Sequence, residues 1–279
     1  MVVRFHSLTG AVVVLLAVAL SCWTGAARAD FSIIPISVSL TPQKSTDLVT
    51  LHNGGTKELR LQLSVYKWDQ TPEGKLVLTP TDDVVFYPPI VTVAAKEDRI
   101  IRVGTAIPFG FTEQAYRVVA QELPPPAQPP KPGETTVQTK VIVLTKMSIP
   151  VFLEPPSFTH ADSLAAPVIQ NGRLAFKVNN DGNVRVQVGQ AIVDGFGNGN
   201  KPLFHRKTMR GAYVLAGEHQ EYELEVPNPP CGEIQKLSIA VPVTKPFGQY
   251  DVKGDTLKAE LNVTPDKCGT RVAASAKTH

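Results

Sequence analysis

Leu59-Arg60-Leu61-Gln62-Leu63-Ser64-Val65-Tyr66-Lys67-Trp68 alternates apolar and polar residues with period two. That period places every second side chain on one face of an extended chain, the pattern of a half-buried strand. Just upstream, Asp47-Leu48-Val49-Thr50-Leu51-His52 forms a second such run and closes on the turn residues Asn53-Gly54-Gly55. Downstream the runs continue at Leu76 to Leu78, Val91 to Val93, Arg99 to Val103 and Ala115 to Ala120. Pro72, Pro80, Pro88-Pro89 and Pro108 keep each of them short. After residue 30 no stretch sustains a 3.6-residue apolar period over three turns. Short strands every eight to twelve residues predict an all-β chain built as a sandwich.

The composition agrees. Of 279 residues, 43% are hydrophobic and 19% charged, enough apolar material for real cores, while 24 prolines and 20 glycines oppose long helices. The net charge of +3, with no dominant basic cluster, argues against a nucleic-acid partner. Met1 to Ala29 reads as a secretory signal, with Arg4 ahead of the apolar run Ala11 to Leu20 and Ala27-Arg28-Ala29 as the cleavage site. The apolar run falls short of the roughly 20 residues of a membrane span. Cleavage after Ala29 removes Arg4 and Arg28 and leaves a nearly neutral chain outside the cytoplasm. Cys231 and Cys268 remain; an even pair in an oxidising compartment predicts a disulfide, worth roughly 3–4 kcal/mol.

Leu123 to Gly133 is the most proline-rich stretch, and is expected to be a stiff hairpin connection, because Thr135 to Leu153 beyond it needs a sheet partner. The domain boundary is expected at Glu154-Pro155-Pro156. A second strand series follows: Arg173 to Asn179, Val184 to Val193, Gln220 to Val226, Lys236 to Val241 and Leu257 to Val263. Asn180-Asp181-Gly182-Asn183 and Asp194 to Gly199 supply its turns. The expected organisation is a signal at 1–29, domains at 30–154 and 155–268, and a fraying tail at 269–279.

Val137-Gln138-Thr139-Lys140-Val141-Ile142-Val143-Leu144-Thr145-Lys146-Met147-Ser148-Ile149 carries apolar residues on both faces. It is either a strand covered on both sides or one that offers a face to another chain. Here the chain resembles the periplasmic chaperones of the PapD-like, chaperone–usher family, from about Phe31 to Cys268. Five segments carry the likeness in order: Leu48 to Asn53; Tyr87-Pro88-Pro89-Ile90 with Arg99-Ile100-Ile101-Arg102-Val103; Tyr116 to Pro124; Ile149-Pro150-Val151-Phe152-Leu153-Glu154-Pro155; and Phe176 to Asn183. The Ile-Pro-Val-Phe string is similar to the divergent, archaic branch.

The resemblance implies two immunoglobulin-like sandwiches in an L, with pilus or fimbrial subunits and an outer-membrane usher as partners. Such a chaperone lends a strand to a subunit that lacks one, filling a groove of unpaired backbone groups and apolar pockets. The implied donors are Val141, Val143, Thr145 and Met147, with Ile142 and Leu144 facing the chaperone's own core. Family members anchor the subunit's C-terminal carboxylate with an arginine and a lysine; the matching positions here are Ser37 and Pro150. A buried carboxylate still needs a cation. The candidates are Arg117, which interrupts an apolar strand, then Arg102 and Lys146.

No enzyme site is legible. His52, His160, His205 and His219 are scattered, and no nucleophile elbow, zinc-protease helix motif, EF-hand or phosphate loop occurs. Asp194 to Asn200 has one carboxylate where a calcium loop needs several. Tyr66 and Trp68 read as ordinary sandwich residues. No cofactor, metal, small-molecule substrate or nucleic acid is expected. The competing reading is a secreted two-domain structural or adhesive protein, or a chaperone of the same build with a client other than pili.

Overall fold

The computed structural model describes residues 31–124, 143–170, 172–207, 212–226, 230–247 and 250–264. The expected signal peptide, Val141, Ile142, most of the proline-rich connection and Cys268 therefore lie outside the described residues.

Ten strands build the first half: β1 (Phe31–Ile34), β2 (Val38–Leu40), β3 (Thr46–Asn53), β4 (Leu59–Gln70), β5 (Leu76–Pro80), β6 (Val84–Tyr87), β7 (Ile90–Val93), β8 (Asp98–Thr105), β9 (Gln114–Glu122) and β10 (Lys146–Leu153). One sheet runs β1-β3-β8-β6; the other runs β2-β10-β9-β4-β5, with β7 also against β4. The alternation in β4 does what its period demands. Leu59, Leu61, Leu63 and Val65 enter the core shared with Val49, Leu51, Ile101, Val103 and Val118 from the neighbouring strands.

A second pair of sheets follows: β11 (Asp162–Leu164), β12 (Val168–Gln170), β13 (Arg173–Asn180), β14 (Val186–Val188), β15 (Ile192–Phe196), β16 (Pro202–Lys207), β17 (Tyr213–Val214), β18 (His219–Glu225), β19 (Lys236–Phe247) and β20 (Tyr250–Asn262). Among the described residues helix is confined to two short 3₁₀ turns. The run expected as one strand from Val184 to Val193 is split into β14 and β15. The break comes at Gly189, whose amide donates to the Pro242 carbonyl (2.8 Å) and where an added Cβ would stand 3.0 Å from the proline ring. The turn expected from Asp194 begins later, since Asp194 is paired with His205 inside the β15–β16 ladder.

The two halves repeat one device at a strand end. Asn53, 1% exposed, donates through Nδ2 to the carbonyls of Lys57, Val93 and Ala94 and accepts from the Gly55 amide. Asn180, 2% exposed, donates to the carbonyls of Val184, Val214 and Leu215 and accepts from the Gly182 amide. Each side chain replaces a missing strand rung, so truncation strands several buried polar groups at once. Asn180→Ala is expected to lower the unfolding free energy by about 2–4 kcal/mol, read from a urea titration.

Candidate functional site

Strand β10 has a neighbour along its whole length on one side only. On that side it pairs with β9 from Lys146↔Gln121 to Leu153↔Gln114. On the other it pairs in parallel with β2, and only over Val151–Leu153. Among the described residues the margin from Lys146 to Pro150 is bare. Upstream, Thr145 still exchanges hydrogen bonds with Glu122: its carbonyl accepts from the Glu122 amide (2.9 Å) and its amide donates to the Glu122 carboxylate (3.0 Å). Before it, Val143 is 83% and Leu144 40% exposed. A strand margin continued by exposed apolar residues is a template for pairing with another chain.

Two positions of this segment are placed otherwise than expected. Met147 packs against the protein's own core, in line with buried Ile149, Val151 and Leu153, whereas Leu144, expected to face that core, is exposed. The physical reason is the sandwich's end: the inward face is fixed by the Ile149–Leu153 packing, and Leu144 lies beyond the strand's first residue.

The opposite face of this sheet carries Phe152, Ala115 and Trp68 in one row across β10, β9 and β4. The second half of the chain covers that row. Phe152, Trp68 and Tyr213 form an aromatic trio with centroids 5.5–6.0 Å apart, and Leu215 joins them. Beside it lies a buried charge cluster. Arg185 Nη1 donates to Glu113 (2.5 Å) and Glu154 (3.1 Å), while its amide donates to Glu113 Oε1 and its guanidinium lies 3.8 Å from the Phe152 ring centroid. Burial, with Glu154 adding to it, pushes Glu113 up to about 7 against the pull of Arg185.

The next row is left partly open. In register it holds Pro150, Arg117 and Tyr66, with Ser37 one residue before β2. Arg117 and Tyr66 keep partial exposure. The Arg117 guanidinium lies over the Trp68 ring, 3.9 Å from its centroid. It has no ion-pair partner among the described residues, and its buried Nε has no hydrogen-bond partner there either. Burial lowers its affinity for the proton, and the Tyr213 phenol opposes that. Arg117 is thus a cation at the mouth of the junction whose outer nitrogens remain to be used.

The other candidates are placed apart. Lys146 is exposed on β10 four residues from Pro150, roughly 13 Å along the strand. Arg102 is exposed on β8 in the other sheet, opposite Leu48 and Tyr87. Trp68, Tyr213 and the Arg185–Glu113–Glu154 cluster were not legible as site residues. The one available signal is the shift in β4 from apolar odd positions to an apolar Trp68, which moves that side chain onto the other face.

Residues 30–159 match the family described as the pili and flagellar-assembly chaperone, PapD N-terminal domain. No curated protein matches the sequence. Among solved structures, a chain of the CsuC–CsuE chaperone–tip subunit pre-assembly complex from the archaic chaperone-usher Csu pili of Acinetobacter baumannii is 17% identical. The match covers 82% of this chain and 98% of that one, with a TM-score of 0.56. The YadV chaperone (14% identity, 84% and 100% covered) gives 0.55. The Salmonella enterica SafA pilin–SafB chaperone complex (14%, 85% and 99%) gives 0.51. At these identities the likeness is one of fold.

Proposed function

We propose, for a chain whose residues 30–159 belong to the PapD N-terminal-domain family of pili and flagellar-assembly chaperones, that it holds pilus subunits by lending them a strand and hands them to an outer-membrane usher. The observation that carries this reading is the bare margin of β10 from Lys146 to Pro150, continued by exposed Val143 and Leu144. A subunit lacking one strand presents unpaired backbone groups beside apolar pockets, and this segment offers both a ladder and apolar side chains. Two of the similar structures pair a chaperone with a pilus component, CsuC with CsuE and SafB with SafA.

Val143 and Thr145, with Val141 ahead of them, are the donors in this reading. Met147 is left to the chaperone's own core. Arg117 is the carboxylate anchor, since it alone of the three candidate cations stands on the junction row beside Pro150. Its planar fork can hold a carboxylate through two hydrogen bonds. The protein acts in the periplasm after cleavage at Ala29, with the boundary between its two immunoglobulin-like domains after Glu154.

Co-expression with a pilus subunit is expected to give a one-to-one complex on size exclusion. Arg117→Ala is expected to abolish co-purification while circular dichroism shows the chaperone folded; an unchanged complex yield removes Arg117 from the site.

A further inference from the structure

A side-chain clamp holds the second domain beside the Arg117 site. Gln70 Nε2 donates to the Tyr213 carbonyl at 2.6 Å, and Gln70 Oε1 accepts from the Leu215 amide at 2.9 Å. A side-chain amide that bonds both residues flanking Val214 fixes this strand against β4 as a ladder rung would. Gln70 stands two residues after Trp68 on β4, so the clamp and the indole share a face of one strand. Tyr213 meets Trp68 edge-on, at 83° and 5.8 Å, while Phe152 closes another side at 6.0 Å. Trp68 is 2% exposed and held among these rings, and Arg117 lies over it.

We propose that Tyr213, held by Gln70, is a positioning residue of the client site: it fixes the Trp68 plane on which Arg117 lies and so sets the direction of the free guanidinium edge. This rests on the reading of Arg117 as the carboxylate anchor. It gives the second domain a defined part in recognition. Discrimination of a free C-terminal carboxylate from a neutral end then depends on both domains. A guanidinium whose plane is free to turn keeps its charge but loses the two-bond geometry that rewards a carboxylate.

The test compares two synthetic peptides of alternating valine and threonine, identical except for a C-terminal acid or carboxamide, by calorimetry on the mature chain. The wild type is expected to prefer the acid at least tenfold. Tyr213→Leu and Gln70→Ala are each expected to reduce that preference below threefold, and Tyr213→Phe, which keeps the ring, to retain it. A preference lost in Arg117→Ala but intact in both Tyr213→Leu and Gln70→Ala overturns this proposal alone. A preference that survives Arg117→Ala, or is missing in the wild type, overturns the anchor reading and this proposal with it. Should Tyr213→Leu fail to fold, Gln70→Ala decides.

Discussion

Arg185→Ala is expected to lower the unfolding free energy by about 3–5 kcal/mol, because it leaves two buried carboxylates facing each other without their cation. Glu113 and Glu154 have side chains that are 1% and 0% exposed, so water cannot take over the guanidinium's work. Trp68 is the only tryptophan after Ala29 and sits in the adjoining aromatic trio, so its fluorescence reports this junction directly in a urea titration. Restoring charge balance should restore stability. Arg185→Met combined with Glu113→Gln and Glu154→Gln is expected to recover most of the loss, as apolar or neutral replacements of buried ion clusters do.

The same cluster sets a pH dependence. Burial penalises the ionised Glu113 carboxylate more than the neighbouring Arg185 favours it, and the charge of Glu154 adds to that, so its value rises to about 7 from an ordinary 4.5. A carboxyl with a raised value in the folded state contributes stability that is fully present below about 4.5 and lost as the pH climbs through about 7. The unfolding free energy of the wild type, minus that of Glu113→Gln, is therefore expected to fall between pH 5 and 8. A flat difference would show that Glu113 is ionised throughout.

The second large effect is on binding. Val143→Asp is expected to weaken the complex with a pilus subunit by more than ~100-fold, since the aspartate would enter an apolar pocket without a partner. Val143 is 83% exposed in the free chain, so the same substitution should leave the chaperone's own unfolding within about 0.5 kcal/mol of wild type. Loss of both binding and stability would place Val143 in the chaperone's core.

Much of this was legible in the chain because it rests on local patterns. The period-two run Leu59 to Val65 became part of strand β4, and the turn signals Asn53-Gly54-Gly55 and Asn180-Asp181-Gly182-Asn183 became side-chain-closed turns. Pro150 and Ser37, quoted as replacements of the family's anchoring pair, do fall in one row with Arg117. The junction was not legible. Arg185 lies between Val184 and Val186 like any solvated strand arginine, and its partners stand 31 and 72 positions away. Alternation tells that two faces exist, but not which face a second domain will cover. For that reason Trp68 read as an ordinary sandwich residue.

Hydrogen–deuterium exchange of residues 143–149, with and without a bound pilus subunit, tests strand lending most directly. Pairing along the margin that β2 leaves bare predicts strong new protection there, with β20 in the second domain unchanged. Equal exchange in the free and bound states would contradict it.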